Sequence, residues 1–134
     1  MRVMIVEDEL LVALDMERTL EDLGFEVVGV ASDERQARAL ANHGVDMALV
    51  DLNLRDGLTG LRIGDALTKS GVSVVFMTGN PDLVAAAVPR AVGVIAKPVG
   101  AEDIRQTTDF VCGLRGGRRM PAPSRLRPLE RPSR

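Results

Sequence analysis

The chain has 134 residues, 46% of them hydrophobic, and a formal net charge of −2, which provides for one ordinary buried core and hence one domain. No apolar run approaches the roughly 20 residues that a bilayer span needs, and the amino terminus enters an apolar run directly without a signal-peptide pattern. The expectation is a cytoplasmic protein with no membrane association. Its single cysteine, Cys112, excludes an internal disulfide framework, as fits a reducing compartment, and is read as a small apolar residue of the last helix.

Taken in chain order, short β-rich apolar runs alternate with longer amphipathic segments. The first run, 3–6, leads into Glu7 and Asp8. A helix follows at about 9–23, stopped by Gly24, with Val12, Ala13, Met16, Leu20 and Leu23 on one face at helical spacing. Leu10, Leu11 and Leu14 lie on another side of it, where either the last helix or a partner must cover them; the neighbouring helix is the simpler reading. The second run, 26–30, precedes a helix at about 33–42, for which Ser32 is the expected cap. His43, just beyond that helix, is read as solvated, because no other histidine exists to build a site with it.

The third run, 45–50, ends in Asp51 and is followed by a helix at about 58–70. The fourth, 72–77, ends in Thr78 and Gly79; after Asn80 and Pro81 comes a short alanine-rich helix at about 82–88, closed by Pro89 and expected to be the least firmly held. The fifth, 92–96, runs into Lys97 and Pro98, and a last helix spans about 102–114. Five such runs predict a doubly wound α/β fold, a five-stranded parallel sheet with helices on both faces. In such sheets the ligand site lies outside the carboxyl ends of the strands. Three carboxylates, a hydroxyl and an ammonium are therefore predicted to meet at one edge, as suits a divalent cation and a phosphoryl group.

Charge is unevenly spread. Through Leu114 there are 10 Lys and Arg against 18 Asp and Glu, a balance of −8; beyond it come 7 Arg and one Glu, a balance of +6. Residues 115–134 are rich in Gly, Pro, Ser and Arg and are expected to form a disordered tail outside the domain at 1–114. Nucleic-acid binding through that tail is the lesser reading, because it lacks aromatic residues to stack on bases.

With Glu7-Asp8, Asp51, Thr78 and Lys97-Pro98 at successive strand ends, residues 1–114 resemble the receiver domain of two-component response regulators. The resemblance implies a flavodoxin-like sheet of order 2-1-3-4-5 with five helices. It further implies that Asp51 accepts a phosphoryl group from a sensor histidine kinase or histidine phosphotransfer protein. Asp8 and Asp51 would ligate Mg²⁺ or Mn²⁺ directly, with Glu7 acting through water and the Asn53 backbone carbonyl completing the set. Thr78 and Lys97 would bind phosphoryl oxygens, the Lys97–Pro98 peptide would be cis, and Asn53 and Asn80 would set the rate at which water removes the phosphoryl group. Such a protein is no enzyme beyond its own phosphorylation and slow dephosphorylation, since Asn53 stands where aspartyl-phosphate hydrolases need a second carboxylate.

Two departures stand out. Glu7-Asp8 replaces the commoner Asp-Asp, and Val94 occupies the position of the usual aromatic switch in a chain with no tyrosine. The loop from Thr78 through Gly79, Asn80 and Pro81, with the helix after it, is thus the expected moving element, resembling stand-alone receivers that act by docking on a downstream protein. Homodimerisation through the fourth and fifth helices is a further possibility of the family. A phosphorylation-independent binding module of the same fold is the alternative, disfavoured by the complete residue set.

Overall fold

The structure, a computed structural model, describes residues 1–54 and 59–129. β1 (Arg2–Val6), β2 (Glu26–Ala31), β3 (Met47–Asp51), β4 (Ser73–Thr78) and β5 (Gly93–Ala96) alternate with α1 (Leu10–Asp22), α2 (Glu34–Ala41), α3 (Thr59–Lys69), α4 (Pro81–Ala87) and α5 (Ala101–Arg115). The five strands are parallel in the order β2-β1-β3-β4-β5, as predicted, and a sixth, β6 (Leu126–Pro128), pairs antiparallel with β5. The beginning expected for the third helix, at 58, lies outside the described residues.

Side chains of a strand point alternately to opposite faces, so the strands feed two cores. Met4, Val6, Ala48, Val50, Val74 and Phe76 pack on the face that also holds Ile63, Leu67 and Val84 of α3 and α4. Val3, Ile5, Met47, Leu49, Val75 and Met77 pack with Met16 and Leu20 of α1 and with Ile104, Phe110 and Val111 of α5. Both faces are covered, which explains why the central strands are near-continuous apolar runs. Two glycines of α3 set its distance from the sheet: a Cβ on Gly64 would run into the Phe76 ring, and one on Gly60 would lie 2.5 Å from the backbone oxygen of Asp51.

Four expectations are corrected. The α2 cap is Asp33, whose Oδ1 accepts from the Gln36 N–H at 2.8 Å; Ser32, one residue earlier, instead donates its N–H and hydroxyl to Gln36 Oε1. On α1 only Ala13, Met16 and Leu20 are buried, while Val12 and Leu23 sit at the rim. The last helix does not cover the other side, for Leu10, Leu11 and Leu14 are 70%, 81% and 48% exposed.

The fourth correction concerns the expected tail up to Leu129; its last part, 130–134, lies outside the described residues. Beyond α5 the chain turns at Gly117, whose φ of +79° suits glycine, and Met120 packs against Gly113, where a Cβ would collide with its sulfur. Ile95, Val94 and Gly93 then pair with Leu126, Arg127 and Pro128. Leu126 enters the core beneath α1 and α5, and Leu129 enters the opposite one. The composition reads as disorder because apolar residues are few. An open strand edge, however, offers unpaired N–H and C=O groups, and Leu126, Leu129 and Met120 are enough to seat the segment on it. Pro128 is tolerated because the strand is outermost.

Candidate functional site

Four strand ends build the site. β1 delivers Glu7, whose N–H donates to Ala31 O of β2 at 2.9 Å, and then Asp8. β3 ends in Asp51, and Leu52 N–H donates to Met77 O at 3.0 Å, fixing the strand end against β4. β4 ends in Thr78, fully buried, opposite Ala96 of β5. The next residue, Lys97, donates its N–H to Thr78 O at 3.0 Å.

The side chains converge. One carboxylate oxygen each from Glu7, Asp8 and Asp51 lies within 4.8 Å of the others. Lys97 Nζ is 2.8 Å from Asp51 Oδ1, which also accepts the N–H of Asn53 at 3.0 Å. Thr78 Oγ1 accepts the N–H of Asn80 at 3.0 Å, and Glu7 Oε2 that of Glu9 at 3.1 Å. Glu7 and Asp51 are buried, whereas Asn53 and Asn80 are exposed. The Lys97–Pro98 peptide is cis. Pro98 and Val99, with Glu9, Val12 and Met16, continue the site into an open cleft against α1.

Electrostatics follow from this crowding. Burial, and secondarily the charge of Asp51, pushes the Glu7 carboxyl up to about 7 against the opposing hydrogen bond from Glu9. Burial alone would lower Lys97, but the hydrogen bond and charge of Asp51, helped by Glu7 and Glu9, hold it above the ordinary lysine range. One ammonium among three carboxylates leaves an excess of negative charge. Carboxylate oxygens in that number and proximity fit a hard divalent cation, Mg²⁺ in particular.

The other predicted residues fall as follows. Gly79 is not among the glycines of positive φ, and nothing lies within 4 Å of where its Cβ would stand, so the loop is open at that position. Pro81 begins α4, of which Val84 is the one fully buried side chain. Val94 is 1% exposed and packs with Val88, Ala91 and Leu129. His43 lies at the opposite edge of the sheet, where its carbonyl accepts from Arg2, and Cys112 is half-buried with its thiol 3.8 Å from the Met1 sulfur.

Sequence reasoning missed Glu9 and Arg125. Glu9 acts through its backbone N–H on Glu7 and through its charge on Lys97, from a position read as the start of the first helix. Arg125 reaches the carbonyls of Ala96 and Pro98 from a segment taken as disordered.

Residues 3–109 match the response regulator receiver domain. The chain is similar to the phyllosphere-induced regulator PhyR of Methylorubrum extorquens, 36% identical over 100 residues covering 72% of this chain and 38% of that protein. It is also similar to the transcriptional regulatory protein PdtaR of Mycobacterium tuberculosis, 32% identical over 109 residues, or 77% of this chain and 52% of that protein. Among solved structures, PhyR of Brucella abortus superposes with a TM-score of 0.76 at 31% identity, over 87% of this chain and 49% of that one. The receiver domain of Erythrobacter litoralis PhyR gives 0.74 at 25% identity, over 91% and 95%. The chain thus spans about half or less of the curated relatives' length. Because the receiver match takes in most of its residues, the chain belongs to the response regulator receiver domain family, signalling modules of two-component systems.

Proposed function

We propose that Asp51 is the phosphoacceptor of a two-component phosphorelay, acting in the cytoplasm. The observation that carries this is the Lys97 ammonium 2.8 Å from an Asp51 carboxylate that lies within an acidic cluster at the strand ends. An Asp51 oxygen attacks the phosphorus of a phosphohistidine on a sensor kinase or phosphotransfer protein; the phosphorus–nitrogen bond breaks, and the imidazole leaves with the electron pair. Lys97 turns from the carboxylate to a phosphoryl oxygen, and the Thr78 hydroxyl donates to another. Glu7, Asp8, Asp51 and the backbone carbonyl of Asn53 would hold Mg²⁺ or Mn²⁺. When bound, the cation supplies the positive charge that lets anionic nucleophile and anionic phosphoryl group approach.

The buried Val94 leaves no aromatic ring to follow Thr78, so the change passes to the loop through Gly79, Asn80 and Pro81 and to α4, which a single buried side chain anchors. A downstream protein reads that change by docking. Binding of nucleic acid is disfavoured, since Arg115, Arg125 and Arg127 of the basic segment are engaged with Asp46, Asp103 and Asp82 of their own chain.

Incubation with acetyl phosphate and Mg²⁺ followed by intact-mass measurement tests the assignment. Wild type gains one phosphoryl group and Asp51→Asn gains none. A gain that survives the substitution means another acceptor, and no gain in either protein favours the binding-module reading.

A further inference from the structure

Lys97 works only if its ammonium stands where a phosphoryl oxygen arrives, yet it rides on a flexible four-carbon stem and its side chain is 39% exposed. Its backbone must therefore be held from both sides. On one side its N–H donates to Thr78 O. On the other, a single guanidinium takes the two carbonyls that flank it: Arg125 Nη2 donates to Ala96 O and Nη1 to Pro98 O, the latter at 3.2 Å.

That guanidinium is anchored in turn. Arg125 Nη1 is 3.2 Å from Asp103 Oδ2, and the same oxygen accepts the Gly100 N–H at 2.9 Å at the start of α5. Arg125 directly precedes β6, whose attachment also rests on backbone pairing with β5 and on the buried Leu126 and Leu129. Arg127, two residues on, points elsewhere and pairs with Asp82 of α4 at 2.6 Å. A planar fork can span two acceptors at once, which an ammonium cannot do with the same geometry.

We infer that Arg125 is a positioning residue for phosphoryl acceptance, setting the Lys97 ammonium by gripping the carbonyl on each side of it. The inference rests on the reading of Asp51 as phosphoacceptor. Small displacements of a catalytic group cost rate steeply, on the order of 10²-fold per ångström. A clamp that merely narrows the range of Lys97 is worth about tenfold on that scale.

The test compares initial rates of labelling by acetyl phosphate with saturating Mg²⁺. Expected are a roughly tenfold loss for Arg125→Ala, partial recovery for Arg125→Lys, and a wild-type rate for Arg119→Ala, which removes an exposed arginine of the same segment that touches neither Lys97 nor α4. The decisive comparison is the double variant: Arg125→Ala added to Lys97→Ala should cost nothing further, because its route to the phosphoryl group is already gone. Where the Lys97→Ala rates fall below detection, the concentration of beryllofluoride that half-saturates the amide shifts of each variant gives the same comparison. Wild-type labelling with an unchanged Arg125→Ala rate, or an equal loss in both backgrounds, overturns the inference while leaving Asp51 in its role. Absent wild-type labelling overturns the functional reading itself. Retained protection of the β5 and β6 amides in Arg125→Ala separates lost positioning from a detached strand.

Discussion

Glu7 gives the cation-free protein a pH dependence between mildly acidic and neutral conditions. Its carboxyl is raised from 4.5 to about 7, chiefly by burial, so between those values the native state keeps a proton that the unfolded chain has released. Stability therefore falls as pH climbs from about 4.5 to about 7, and the loss is complete above that. Urea midpoints measured across this window should decline for wild type and lose that slope in Glu7→Gln. A divalent cation must displace the same proton, so Mg²⁺ affinity, read by calorimetry, should increase with pH through about 7. At this scale the acidic residues and Lys97 were legible because each directly follows an apolar run. Arg125 was not legible, since its partners are main-chain carbonyls that no residue identity discloses.

The helices and strands owe their placement to close approaches that pattern alone does not show. Gly60→Ala would drive a Cβ against the backbone oxygen of Asp51; about 1–3 kcal/mol of destabilisation is expected, together with slower labelling of Asp51, because the strand end must shift. Leu126→Ala should cost about 2–5 kcal/mol in a urea titration, the range for truncating a buried leucine. A truly disordered tail would give no change. The alternating apolar runs made the five parallel strands readable, down to within a residue or two at their ends. β6 escaped notice because Pro128 and the arginines around it depress every strand signal, and the reason it pairs lies in β5, about thirty residues earlier.

Over the molecule's surface, the exposed large apolar side chains of the described residues gather on α1, where Leu10, Leu11, Val12 and Leu14 stand apart from the core. Among the described residues no helix is long and apolar enough to cross a membrane. The leucines at positions 10, 11 and 14 face outward on the helix whose Val12 and Met16 line the acidic cleft, where the periodicity of α1 alone could not say whether a neighbour or a partner takes them. Leu11→Ala should leave the unfolding free energy within about 0.5 kcal/mol of wild type, yet slow phosphotransfer from a protein donor more than from acetyl phosphate. Equal slowing with both donors would show that the patch plays no part in docking.

A cut after Leu114, where composition changes most sharply, would look harmless on paper and would not be. It strips the lid from Ile95 and Val94 and leaves a ribbon of unsatisfied amides along the outermost parallel strand. Material trimmed there should stick to itself, seen as early elution or light scattering that grows with concentration, whereas trimming after Leu129 should keep it dispersed.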